Sequence, residues 1–281
     1  MQTTKKVLSI GAGLVLLAMV LFLALAAVGP AFSAGLAKLL TATPPPGDPI
    51  PLKPLSGLTS LDAEVKIKVN GLINGERAQG DLNAKLTTNS QKQSKVTVTG
   101  PLLGQIAAQV GGSLVGLFTP SSVDLYKMPE GVYIVANSLI PLCVKPAADS
   151  IPSTLEDVSP QSLLGMLTNP EVARGTFVGN ETLNDKAVKH YALDGEAFLA
   201  AAQASTDPKL KAFADGLWSA KNADLYVDAT GGYPVAFRGS YSGQYEPLKF
   251  EGDFSLDIQL TGVNNNTPVK LPAACKNPIT P

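Results

Sequence analysis

The side chains best suited to chemistry are few and far apart. His190 is the only histidine, in Lys189-His190-Tyr191, and Cys143 and Cys275 are the only cysteines. A histidine works as a general base when a reacting group stands within hydrogen-bonding reach. A lone histidine on a strand is more often solvated or packed than basic in that sense. The chain holds no Gly-x-Ser-x-Gly, no His-Glu-x-x-His and no Gly-rich phosphate loop. A hydrolase would need a nucleophile–base set, and none is visible. Asp253 and Asp257 share one parity of a single run but lack a concave setting. A structural metal site wants about four ligands, more than two cysteines and one histidine supply. The sequence therefore predicts no enzyme, no cofactor and no metal. Trp218 reads as core, and the sequons at Asn180 and Asn265 matter only in a host that glycosylates.

What places these residues begins with export. Lys5 and Lys6 precede an uncharged run, Val7–Val28, that ends at Gly29-Pro30. About 20 apolar residues cross a bilayer as a helix, and the preceding lysines keep the N-terminus inside. Residues 1–30 are thus a cleaved signal peptide, with Ala24-Leu25-Ala26 as the small-x-small site, or a retained membrane anchor. Either way the rest is extracytoplasmic. There an even pair of cysteines reads as one disulfide, Cys143–Cys275, against the alternative of two buried thiols. Net charge is −1 over 281 residues with scattered Lys and Arg, which gives no footprint for nucleic acid.

Residues 31–57 include Pro44, Pro45, Pro46, Pro49, Pro51 and Pro54, read as a semi-rigid tether. The folded domain is expected over 58–263, followed by a polar tail, 264–281, pinned by the disulfide. Its central feature is Lys249–Thr261. Phe250, Phe254, Leu256, Ile258 and Leu260 hold one parity and Glu251, Asp253, Asp257 and Gln259 the other. Such alternation makes a strand with one dry and one wet face, about 44 Å long at roughly 3.4 Å per residue. Leu61–Val69 alternates likewise, and Asn70-Gly71 is read as its end. Further alternating runs follow at Leu82–Thr88, Lys95–Thr99, Ser122–Met128 and Gly131–Asn137. Gly175–Asn180 and Ala187–Leu193 flank a turn at Leu183-Asn184-Asp185, and Ala223–Asp228 pairs with Tyr233–Ser242 about Thr230-Gly231-Gly232.

Helical signals interrupt these strands rather than alternating with them. Pro101–Phe118 is uncharged and broken by Gly111-Gly112, and reads as core filler or as the lining of a cavity. Ser159-Pro160 caps a helix with Leu163, Leu164 and Leu167. Asp194 caps another through Ala204. Asp207-Pro208 opens a third, with Leu210, Phe213, Ala214, Leu217 and Trp218 as its stripe. The pattern is α+β: a large curved antiparallel sheet of about ten strands with helices covering its apolar face.

Gly175-Thr-Phe-Val-Gly-Asn, Val188-Lys-His-Tyr-Ala-Leu-Asp194, two helices, Ala223-Asp-Leu-Tyr-Val-Asp-Ala-Thr-Gly-Gly-Tyr-Pro-Val235 and the long last strand follow in that order. In this combination the chain resembles the LolA-like and LppX/LprG-type envelope lipoproteins over roughly Leu58–Val263. The resemblance implies a half-barrel that carries lipid or acylated molecules on its apolar face. It departs from the family in lacking a lipidated cysteine after the signal, because Cys143 is the first cysteine.

The expected function is extracytoplasmic binding or carriage of lipid or another hydrophobic ligand, with a membrane contact through the N-terminal helix. The alternative is a structural or adhesive surface domain with a filled core. The expected lipid-binding walls are Val65, Ile67, Phe254, Leu256 and Ile258 on strands, and Leu103, Ile106, Val110, Leu114, Leu163, Leu167, Phe213 and Leu217 on the cover.

Overall fold

The computed structural model describes residues 47–105, 120–146, 160–206, 211, 214–245 and 249–280. Among them twelve strands form one antiparallel sheet. They are β1 (Asp48–Pro49), β2 (Leu61–Ile73), β3 (Glu76–Thr88), β4 (Ser94–Thr99), β5 (Ser122–Met128) and β6 (Gly131–Asn137). Then come β7 (Leu142–Val144), β8 (Arg174–Leu183), β9 (Lys186–Asp194), β10 (Leu217–Asp228), β11 (Pro234–Tyr245) and β12 (Phe250–Val263). The spatial order is β1-β8-β9-β10-β11-β12-β2-β3-β4-β5-β6-β7.

Two meanders, β2 to β7 and β8 to β12, therefore meet where the last strand joins the first long one. This β12–β2 seam runs from Phe250↔Ile73 to Val263↔Leu61. Its alternation is the reason it holds: Val65 faces Ile258 on the dry side, and Lys66 faces Asp257 on the wet side. An unbroken row of register partners crosses ten strands. It runs through Thr176, Ala192, Asp224, Arg238 and Asp257. It continues through Lys66, Asn83, Thr99, Ser122 and Asn137.

Several expectations are corrected here. The sheet has twelve strands among the described residues, not about ten. The first strand does not stop at Asn70-Gly71; it continues to Ile73 and turns at Asn74-Gly75, both in the left-handed region (φ 52° and 80°). The fold also begins before Leu58. Asp48–Pro49 pairs with Gly175 and Arg174. Ile50 and Leu55 are buried, and the amide of Lys53 donates to the carbonyl of Gly232 (2.7 Å). A proline on an edge strand costs no ladder bond, so a Pro-rich stretch can still dock there.

The helices described are α1 (Pro160–Gly165) and α2 (Gly195–Ala204). The Asp194 side chain caps α2, accepting from the amide of Ala197 (2.9 Å). α1 lies against β2, β3 and β11, and α2 against β9 and β10. Leu102 and Leu103, in a helical turn at 101–105, are also buried. These pieces join one large core with the dry face of the sheet. A helical cover over the whole face is not seen among the described residues. The third expected helix ends sooner than its stripe: Leu217 and Trp218 belong to β10, so their side chains point to opposite faces. Leu217 is buried and Trp218 is 53% exposed, which corrects its reading as core.

The tail is fastened to the far edge of the sheet. Cys143 and Cys275 form a disulfide with Cα atoms 5.2 Å apart. Ile279 bridges Val144, donating to the carbonyl of Cys143 and accepting from Lys145 (both 2.9 Å). A second cluster, Tyr126, Tyr133, Val135, Val269 and the two cysteines, sits beneath it. A persistent disulfide fits an oxidising, extracytoplasmic compartment.

Candidate functional site

The dry face of the β12–β2 seam changes character along its length. On that parity of β12, Ile258 and Leu260 are buried, whereas Phe250, Phe254 and Leu256 are only half-buried. Val69, opposite Phe254 on β2, is half-buried too, while Ile67 and Val65 further down are closed off. Aromatic rings gather at the open stretch. Phe254 stacks on Tyr241 (centroids 5.3 Å) and meets Phe250 edge-on (6.4 Å). Burial pushes the Tyr241 phenol far above its ordinary range.

The expected wall residues divide accordingly. Val65, Ile67, Ile258, Leu103, Leu167 and Leu217 lie in the buried core, and Phe254 and Leu256 pack at its margin, part-exposed. Leu163 lies on α1, but its side chain falls outside those described. Ile106, Val110, Leu114 and Phe213, together with Gly111 and Gly112, lie outside the described residues. The same holds for 1–30 and for the tether up to Pro46.

The wet face holds two features that sequence reasoning did not assemble. One is a groove of about 540 Å³ over β2, β3, β10, β11 and β12, lined by Lys68, Asn70, Gln79, Asp81, Lys221, Ser240, Asp253 and Ser255 together with Val69, Gly80, Tyr241 and Phe254.

The other is a ladder of polar side chains about His190. Nδ1 of His190 is 2.7 Å from Glu181 Oε1 on β8, and Nε2 is 2.8 Å from Asp224 Oδ1 on β10. The ring stacks on Tyr226 (4.5 Å), over which the Arg238 guanidinium also sits (5.1 Å). Arg238 Nε reaches Asp257 Oδ2 at 3.3 Å. Partial burial disfavours the imidazolium, but hydrogen bonds to Asp224 and Glu181 outweigh it and raise the pKa above its ordinary value. With both ring nitrogens engaged by carboxylates, this histidine is a brace across three strands. Its partners lie 9 and 34 residues away, so only strand register reveals them.

No protein-family model matches the sequence, and no curated protein matches it. Solved structures do align with it. A DUF1329 family protein from Desulfovibrio piger aligns over 77% of this chain and 89% of its own, at 7% identity and a TM-score of 0.24. MucB aligns over 78% of this chain at 10% identity and a TM-score of 0.27, and the match spans 58% of MucB. An outer membrane lipoprotein-sorting protein domain from Vibrio parahaemolyticus aligns over 78% of this chain and 90% of its own, at 9% identity and a TM-score of 0.21. Each TM-score is under 0.5, and the sheet stands on its own register rather than on these likenesses.

Proposed function

We propose that this chain is an exported, non-enzymatic module that binds lipid or another hydrophobic ligand against the dry face of its sheet. The N-terminal segment tethers it to the membrane or directs its secretion, and helical segments complete the cover over the ligand. The observation that carries this reading is the half-buried run of Phe250, Phe254, Leu256 and Val69 at one end of the β12–β2 seam, whose other end is closed. Apolar area left partly open on a rigid sheet suits a guest, because each acyl methylene placed there contributes about 0.8 kcal/mol. Val65, Ile67 and Ile258 continue the same face as closed core.

A second reading has an observation of its own. Six expected wall residues are fully buried in one core, as they would be in a structural or adhesive domain with a filled interior. Gentle extraction of the full chain followed by native mass spectrometry separates the two. Co-purifying lipid, displaced by a fluorescent fatty acid, is the expected result. A lipid-free protein that takes up no probe means the structural reading holds.

A further inference from the structure

Strand register gives the groove on the wet face a floor and two walls. Tyr241, Phe254, Val69 and Gly80 are partners in one row across β11, β12, β2 and β3. Their side-chain positions belong to the dry face. Tyr241 stacks on Phe254 there, and a Cβ on Gly80 would meet the buried Leu102 at 3.3 Å. Toward the wet face this row therefore presents backbone, which is the floor of the groove. Side chains of the two flanking rows stand up as its walls. One wall is Ser240, Ser255, Lys68 and Asp81, and the other is Asp253, Asn70 and Gln79.

β10 borders the groove beyond β11, and it is bulged twice there. Trp218 is the extra residue between the Leu217–Gly243 and Ser219–Ser242 pairs. Lys221 and Asn222 together span Ser240, between the Ala220–Tyr241 and Ala223–Gly239 pairs. Bulges re-aim side chains and are frequent beside functional sites. Here Lys221 joins the lining of the groove. Trp218 is turned outward beside Ser242, whose hydroxyl donates to Asp253 Oδ1 in the wall.

The chemistry of this arrangement selects a class of guest. Lys68 and Lys221 balance Asp81 and Asp253, so the lining carries no net charge to draw in an ion. Among the described residues no acidic, histidine or cysteine cluster is placed to hold a metal. Asn70 and Asp253 are register partners, which sets an amide donor beside a carboxylate acceptor. Neighbouring hydroxyls of a sugar ring both donate and accept, and such a pair satisfies them. The C–H face of the ring is apolar and packs on an aromatic, which Trp218 supplies at the rim. A volume of about 540 Å³ lies within the range of about 300–1,000 Å³ usual for small-ligand sites.

We propose that the wet face binds a neutral oligosaccharide, with Asn70 and Asp253 holding its hydroxyls and Trp218 stacking on one ring. This site is on the opposite face of the sheet from the lipid surface and does not depend on it.

Trp218 is the only tryptophan, so its emission reports directly on a ring stacked against it. The full chain, in phosphatidylcholine nanodiscs, is applied to an array of neutral and charged oligosaccharides. Those retained are titrated by tryptophan emission and by calorimetry. The expected result is a saturable emission shift with a neutral oligosaccharide, unchanged by salt. Asn70→Ala should bind about tenfold more weakly, the loss of one good polar contact. Trp218→Ala should weaken calorimetric binding similarly, and Trp218→Phe should restore most of it. Asn70 and Trp218 are both exposed, so these variants keep the fold. Retention of no oligosaccharide, or of charged ones alone, overturns the proposal. So does binding that Asn70→Ala or Trp218→Ala leaves unchanged. Sugar binding without fatty-acid uptake refutes the lipid reading alone, and fatty-acid uptake without sugar binding refutes the groove alone.

Discussion

Gly71 on β2 stands directly opposite Gly252 on β12, in the seam that joins the sheet's two meanders. A Cβ built on Gly252 would lie 2.5 Å from the Gly71 Cα, and Gly252 has a φ of +154° that side chains seldom adopt. Both strands run through this pair without a break, which is why Asn70-Gly71 is no turn. Gly252→Val should therefore cost about 2 kcal/mol or more through combined overpacking and backbone strain. Gly75→Ala, with open space around its Cβ, carries only the penalty of its left-handed turn (φ +80°). Urea midpoints would rank the two, and equal midpoints for Gly252→Val and the parent would contradict the close approach.

The disulfide closes a long loop, since its cysteines are 132 residues apart. In the chain-entropy picture this contributes about 5 kcal/mol. A Cys143→Ser, Cys275→Ser double variant should melt well below the parent. It should also free the tail, because Ile279 and Val269 lie on the same patch. Limited proteolysis after Val263 would show it. A tail that stays protected in the double variant means the disulfide is incidental to its docking.

His190 makes folding sensitive to pH in a defined direction. Its pKa is raised in the folded state by Asp224 and Glu181 against the effect of burial, so folding favours the imidazolium. Its contribution is fully present below the unfolded value, about 6.5. It is lost as pH rises through the higher folded value. Melting temperature should fall across that window in the parent, and His190→Gln should remove this component. The groups that face the ring are Glu181 on β8 and Asp224 and Tyr226 on β10, with Arg238 beyond Tyr226. Proton NMR of the imidazole gives the pKa directly; a value at or below that of an unfolded peptide would refute the brace.

The strands that alternate cleanly in sequence are the strands of the fold, and the β12 run is its central member. Periodicity reports burial on one face, and burial there is what the sheet supplies. Where two periods compete, sequence is ambiguous. Leu217 and Trp218 complete a helical stripe on paper, yet in β10 one points in and the other out. The β1 edge strand, Asp48–Pro49, has no pattern at all, and the buried Ile50 and Leu55 follow it. His190 and its carboxylates come from three strands, and no spacing rule joins them. The expected ligand walls are legible as apolar residues, but whether each is core or margin depends on what lies over it.

Asp124 anchors the polar end of β5, buried with Lys95 Nζ at 3.4 Å and the Tyr126 hydroxyl and Asn137 Nδ2 each at 3.2 Å. Asp124→Ala would leave three donors facing an empty acceptor, at a cost of about 2–3 kcal/mol. Asp124→Asn keeps the shape and part of the bonding, and should cost less. Thermal unfolding of the two variants decides it, and equal destabilisation would assign the effect to packing rather than to the lost acceptor.

Tryptophan substitutions on β12 test the half-open stretch against the closed one. Leu256 and Ile258 are two residues apart on the same face of one strand, Leu256 between Gly239 and Ile67 and Ile258 between Phe237 and Val65. They differ in that Ile258 is buried and Leu256 only half-buried. Ile258→Trp must force a larger ring into closed core and should cost about 1–3 kcal/mol or more. Leu256→Trp should fold with nearly parental stability, because its ring can occupy the space a ligand would take. The same occupancy should weaken binding of a fluorescent fatty acid. Loss of the probe signal with stability retained is the expected pairing at Leu256. If Leu256→Trp instead destabilises as much as Ile258→Trp, the space above β12 is already filled by the chain itself, and the domain is a structural one.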